Sequence, residues 1–292
     1  MLKKRKVKVI VSIRVLPAQA EHFRTYLPGI EDPLPPGALR LDAEIDGIFA
    51  GTALFIEHPR SRTGSISVLH TLEPFRRMGV GSLLLQEAER QMLEAGCGSS
   101  RITLTLRSGK PAEGLCFFRG HGYDRETLVH RSYTLRSDSV RKDPLLTRLR
   151  LPDGAELKSL LSASAQERAE LAAAAAELPP DLNLFQEERL LHAEFSTFLK
   201  IEGRIAGWIG VQKLTSNLLL LRCMYVRPDL GIRVNGMALF AEMNRRHRLL
   251  ERFAHHMLTV SGENGAMLRL ADRKLAPHAS SVKTIMRLEK RL

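Results

Sequence analysis

Arg76-Arg77-Met78-Gly79-Val80-Gly81-Ser82 is the stretch whose residue types and spacing most clearly promise chemistry. Two glycines two apart let the backbone turn tightly and approach a ligand closely. From Val80 onward, Val80, Leu84, Ala88 and Met92 step by four with Leu83 beside them, while Glu87, Arg90 and Glu94 fall on the other side, so an amphipathic helix of about four turns starts at the second glycine. The N–H groups of a first helical turn have no partner within the helix, and the helix dipole favours an anion there. Arg76 and Arg77 add positive charge. The chemistry implied is the holding of a diphosphate. No Gly-Lys-Ser/Thr follows, which excludes a Walker loop, and Leu84 stands where a dinucleotide fingerprint needs its third glycine.

Elements must position this loop. Ser65–Leu72 alternates Ile66, Val68 and Leu72 with small or polar residues and reads as the strand leading into it. Upstream, Val7–Val15 reads as a strand, Pro17 opens a short helix to about Leu27, and the Pro- and Gly-rich Pro28–Gly37 reads as a surface loop. Leu39–Ile45 and Ile48–Ile56 flank Asp46-Gly47 as a hairpin. Downstream come a strand at Arg101–Arg107, a helix at Pro111–His121 and a closing strand at Leu128–Leu135.

The order strand, helix, hairpin, strand, helix, strand, helix, strand along residues 9–136, with Arg-x-x-Gly-x-Gly between strand and long helix, resembles the GNAT family of N-acetyltransferases. In that family this loop wraps the diphosphate of acetyl-coenzyme A. The family's last helix usually carries Asn-x-x-Ala-x-x-x-Tyr-x-x-x-Gly-Phe, and Gly114, Phe118, Gly122 and Tyr123 fall at its Ala, Tyr, Gly and Phe positions. Pro111 replaces the asparagine. Phe118 replaces the tyrosine, which in many members protonates the departing thiolate and which a phenylalanine cannot imitate.

The pattern then returns. Ser137–Leu151 is charged and contains proline, as a linker does. Ala155–Leu178 reads as helical, followed by a hairpin around Glu202-Gly203, an apolar strand at Asn217–Val226, a helix at Gly236–His247, a strand at His256–Val260, a helix at Glu263–Lys274 and a strand at Ser281–Leu288. Arg233-Val234-Asn235-Gly236-Met237-Ala238 again fits Arg-x-x-Gly-x-Ala, and Asn264 begins a resemblance to the family's Asn-x-x-Met. The fold class expected is α/β with a mixed sheet, as two tandem GNAT-like folds: domain 1–136, linker 137–151 and domain 152–292, the second more degenerate.

The resemblance implies an acetyl-coenzyme A-dependent N-acetyltransferase that acts on a small-molecule amine by direct attack. It implies coenzyme contacts from Thr71, Leu72, Arg76, Arg77, Met78, Gly79, Val80, Gly81 and Ser82, and weaker ones from Arg233, Gly236, Ala238 and Asn264 in the second repeat. Family members splay the fourth strand from its neighbour, which would free backbone N–H groups near His70–Leu72. His70 and Glu73, at the cofactor end of that strand, are the candidate bases, since histidine is the side chain best poised near neutral pH. His121, His130 and Glu113 stand behind them. Two other readings remain open: a degenerate member that binds acyl-coenzyme A without turnover, and an acetyltransferase of a macromolecule.

The totals narrow the classes. The 292 residues suffice for two domains, and the net charge of +12 suits an anionic cofactor. Residues 1–150 carry 24 Lys/Arg against 16 Asp/Glu, and residues 151–292 carry 20 against 16, so the first half holds twice the excess of the second. Arginine clusters with interleaved aromatics are absent, which argues against a nucleic-acid platform. Three scattered cysteines and no Cys-x-x-Cys or His-Glu-x-x-His spacing point away from a disulfide framework and from a metal site. The five-residue apolar run at Val9–Ile13 is too short for export, and no segment reaches transmembrane length, so a cytoplasmic protein is expected.

Overall fold

A computed structural model describes residues 11–18, 34, 36–110, 112–229 and 236–292. The helix expected to open at Pro17, most of the Pro28–Gly37 loop and Arg233 lie outside the described residues. Pro17 itself ends a strand.

Two compact units are present. In the first, β1 (Val11–Pro17), β2 (Ala38–Ile45), β3 (Ile48–His58) and β4 (Thr63–Thr71) pair antiparallel in chain order, and β5 (Ser99–Arg107) joins β4 in parallel. The β2–β3 turn is Asp46-Gly47 with φ of 50° and 81°, the mirror-image turn that Asp-Gly favours. Helix α1 (Val80–Glu94) buries Val80, Leu84, Leu85, Ala88 and Met92 against Leu41, Ala43, Ala53 and Phe55. Its buried face includes Leu85; Leu83, placed there by the stepping pattern, is 38% exposed. Met92 lies so close over β4 that a Cβ on Gly64 would meet its sulfur at 2.2 Å. Helix α2 (Glu113–Gly120) adds Leu115 and Phe118 to the same core.

The strand that follows, β6 (Arg125–Arg136), does not close this unit. From Leu128 onward it belongs to the second unit, where it pairs antiparallel with β11 (His255–Ser261). Beside β5 lies instead the C-terminal part of β12 (Ala279–Arg291), and Ile285–Leu292 belong to the first unit. Leu288 is fully buried in its core, Glu289 pairs with Arg101, Lys290 with Glu89, and the Leu292 N–H donates to the Gly98 carbonyl.

The second unit holds, in neighbour order after β6 and β11, β10 (Leu218–Val226), β9 (Arg204–Lys213), β8 (Thr197–Ile201) and β7 (Ala155–Ser159). Only β10 and β11 pair in parallel among the strand pairs from β7 to β11. The segment 137–151 is not bare linker: it carries the short helices α3 (Ser137–Arg141) and α4 (Pro144–Arg148) within this unit. The helix expected from Ala155 starts late. Residues 155–159 are strand, with Leu157 buried, and α5 (Ala165–Ala176) begins after a capping box in which Ser164 and Glu167 satisfy each other's backbone N–H. Ser-x-x-Glu is legible in sequence and marks this boundary. Among the described residues three helices follow: α6 (Gly236–His247), α7 (Leu249–Arg252) and α8 (Gly265–Lys274).

Candidate active site

β4 and β5 pair only from Thr63–Ser99 to Ile66–Ile102. Beyond that point the two strands continue unpaired, so β4 has an open edge from Ser67 to Thr71. The edge's polarity follows from its other neighbour. Leu72 donates its N–H to the Ala50 carbonyl at 2.9 Å, and an antiparallel ladder alternates. The His70 amide therefore also faces β3, while the amides of Leu69 and Thr71 face the opening. Of the groups expected to be free near His70–Leu72, Thr71 is the one whose N–H faces the opening, and Leu72 is taken. The Thr71 carbonyl, on the same side, accepts from Arg76 Nε at 3.4 Å.

Side chains alternate likewise. A Cβ on Gly51 would meet Leu84 of α1 at 3.3 Å, so Gly51 and its cross-strand partner Thr71 face α1. Thr52 and its partner His70 face the other way, in a row with Asp42 on β2. Asp42 is 7% exposed, held by Arg40 at 3.1 Å and by the Thr52 hydroxyl at 2.9 Å. Burial, then the Arg76 charge, lowers the His70 pKa below the ordinary 6.5. Glu73 opens a short 3-10 turn and is exposed.

The loop that follows has the backbone a diphosphate cradle needs. Arg77 and Gly79 have φ of 65° and 87°, and Gly79 caps α1 with nothing within 4 Å of where its Cβ would lie. Leu83 makes the first intrahelical bond, to the Gly79 carbonyl, which leaves the amides of Val80, Gly81 and Ser82 without helical acceptors. Arg76, Arg77 and Met78 are exposed around them, and Val80 is buried, so it contributes its amide and not its side chain. Gly81 packs toward Thr71 Oγ1 and the Phe117 ring, at 3.4 and 3.7 Å from its absent Cβ. Phe118, at the tyrosine position, is 4% exposed and stacks edge-on with Tyr123.

The second unit repeats the frame with different filling. Gly207 sits against the Tyr225 carbonyl as Gly51 sits against that of His70, and Arg227 donates to Ala206 as Leu72 does to Ala50. Tyr225 thus occupies the place of His70. β10 and β11 also part early, after Leu221–Leu258. Where the first unit has Thr52, the second has fully buried Trp208, whose ring lies 4.7 Å from that of Tyr225 in a core with Phe198, Leu160 and Leu171. At the start of α6, a Cβ on Gly236 would strike the Met224 side chain at 2.6 Å, and Ala238 is 2% exposed. Asn264 uses its side-chain oxygen to cap α8 through the Met267 amide. Cys223 is a buried thiol, pushed up to about 11 by burial. Among the described residues no cluster of three metal-ligating side chains exists, and no helix is long and apolar enough to cross a membrane.

Residues 11–123 match the model of the acetyltransferase (GNAT) family. The matched segment, less than half of the chain, carries the similarity to that family. No curated protein matches the chain. Among solved structures, a tandem GNAT protein from the clavulanic acid biosynthesis pathway superposes with a TM-score of 0.58 over 96% of this chain and 98% of its own, at 15% identity. A GNAT N-acetyltransferase from Sphaerobacter thermophilus gives 0.54 over 94% and 87%, at 20% identity. A glucosamine N-acetyltransferase region of a fungal multi-domain β-N-acetylglucosaminidase gives 0.54 at 12% identity, covering 39% of that chain. The fold of the whole chain is thus that of tandem GNAT proteins.

Proposed function

We propose that the protein is an acetyl-coenzyme A-dependent N-acetyltransferase of a small amine, with its working site in the first unit. The observation that carries this reading is the parted β4–β5 edge running straight into the open start of α1. The amides of Gly79, Val80, Gly81 and Ser82, with Arg76 and Arg77, would hold the diphosphate. Acetyl-coenzyme A would supply the thioester carbonyl along the parted edge. The Thr71 amide would donate to its oxygen as charge develops there. His70, kept neutral by burial and Arg76, would take the proton released by the attacking amine. Glu73 would serve only through water, because it lies exposed one turn further on. Phe118 offers no proton, so the thiolate would be protonated by water. Behind His70, Thr52 and Asp42 are buried and bonded to each other, so they support its strand and do not meet the acceptor.

The second unit reads as a scaffold. Trp208 and Tyr225 fill the acceptor side, and Met224 lies against the start of α6. Coenzyme A should therefore bind once per chain. Calorimetry on Gly81→Asp and Gly236→Asp variants tests the assignment, with loss of binding expected only in the first. Thioester consumption against an amine panel tests turnover. Tight coenzyme binding with no consumption for any amine would favour a binding protein, consistent with the absent tyrosine.

A further inference from the structure

His121, just past the end of α2, ties two elements of the proposed cradle together. Its Nδ1 lies 2.8 Å from the Phe117 carbonyl, and its Nε2 lies 2.9 Å from Ser82 Oγ in the first turn of α1. The Phe117 ring packs over it with centroids 4.3 Å apart. A carbonyl oxygen only accepts, so Nδ1 must carry the hydrogen. In the neutral ring Nε2 is then bare, and the Ser82 hydroxyl must donate to it. That spends the one hydroxyl proton Ser82 has. An anion arriving at the start of α1 meets the lone pairs of Ser82 Oγ, and not its O–H. A doubly protonated ring reverses the direction. Nε2–H would donate to Ser82 Oγ, and the hydroxyl proton would be free to donate to a phosphate oxygen.

We propose that His121 couples diphosphate binding in this cradle to the uptake of one proton. The proposal rests on the reading of the cradle given above, and adds to it a residue and a linkage. Other ionisable groups on the packed elements have their own partners, lie on the cradle side or, like Glu113 and the exposed Cys116 thiol, stand elsewhere on α2. On α1, Glu87 is held by Arg90 and Gln91, and Glu89 by Lys290. On α2, Arg119 turns to Glu126, and Glu113 sits at the opposite end of the helix. Ahead of α1 stand Arg76 and Arg77, whose charge a bound diphosphate would offset, easing the accommodation of an imidazolium.

The probe is dephospho-coenzyme A, whose diphosphate stays fully ionised near neutrality and which lacks the titrating 3′-phosphate. Calorimetric titration in buffers of low and high ionisation enthalpy should show net proton uptake. The Kd should weaken as pH rises, by up to about tenfold per pH unit. His121→Gln and Ser82→Ala should each remove the proton uptake and flatten the pH dependence. Ser82→Ala keeps the test decisive if His121→Gln fails to fold. Binding to the wild-type chain without proton uptake would overturn this linkage and leave the cradle standing. Proton uptake that survives in Ser82→Ala would also overturn it. No binding at all would remove the cradle, and this inference with it.

Discussion

The base role proposed for His70 requires an unprotonated ring, and the two influences on it act in that direction. Burial disfavours the imidazolium, and the Arg76 guanidinium repels it. The acidic limb of kcat/KM should therefore lie below the ordinary 6.5, with the rate rising as pH increases and level by neutrality. Removing the repulsion with Arg76→Gln should move that limb upward. A limb that stays in place in this variant would show that another group is the base. His70→Gln should slow turnover by roughly 10²- to 10⁴-fold with coenzyme binding retained. The two loop glycines should respond differently to the smallest change. Gly79 has φ of 87°, so Gly79→Ala strains the backbone by about 1 kcal/mol although space is open. Gly81 sits in ordinary helical geometry with contacts of 3.4 Å or more, so Gly81→Ala should fold normally. Thermal melts of the two variants check this.

At the scale of elements, local pattern was a good guide wherever one face of a strand or helix is buried. Asp46-Gly47 and Glu202-Gly203 form the hairpin turns their sequences announce, both with positive φ, and α6 spans the residues its periodicity marks. The start of α1 was legible for the same reason: glycine spacing and a helix start are local. The failures are equally physical. Ala155, Glu156, Leu157 and Lys158 are good helix formers, yet residues 155–159 become strand by pairing with β8. Asn264 resembles a ligand residue in sequence, yet an asparagine ahead of a helix is first of all a cap. The pair Ser137–His256 was invisible, because its members are 119 residues apart. Ser137 donates to the Phe253 carbonyl, so His256 Nδ1–H donates to Ser137 at 2.8 Å and Nε2 is left buried without a partner. Protonation would put a charge and an unsatisfied N–H in the core. Burial, then His255, lowers the pKa of His256 to about 4. Between 6.5 and about 4 the unfolded chain binds the proton and the folded one does not, so stability falls as pH drops through that window. The loss should reach roughly 3 kcal/mol at its lower end. Urea midpoints measured from pH 7 down to 4.5 should show it, and His256→Gln should flatten the slope.

For the whole molecule, chain order and unit membership part company at two strands. The pattern of Leu128–Leu135 says strand but cannot name its partner; the partner is β11 of the second unit, and Ile285–Leu292 lies beside β5 in the first. The first unit, which carries the proposed cradle, is therefore completed by the last residues of the chain. Leu288 is fully buried in the cluster that also contains Val80, Leu84 and Leu85, the residues that fix the start of α1. Glu289 and Lys290 add ion pairs to Arg101 and Glu89, each partly exposed and so worth little alone. The burial of Leu288 is the larger contribution. Leu288→Ala should cost about 2–5 kcal/mol, the range for truncating a leucine in a packed core. Deleting residues 285–292 should remove from the first unit the strand segment beside β5 and abolish coenzyme A binding, although no residue of the proposed cradle is touched. Conservative changes at the exposed end, such as Arg291→Lys, should do neither. Chemical denaturation followed by coenzyme titration on these three variants separates the cases. A chain shortened to residue 284 that still bound coenzyme A with wild-type affinity would mean that the first unit is complete without its C-terminal strand.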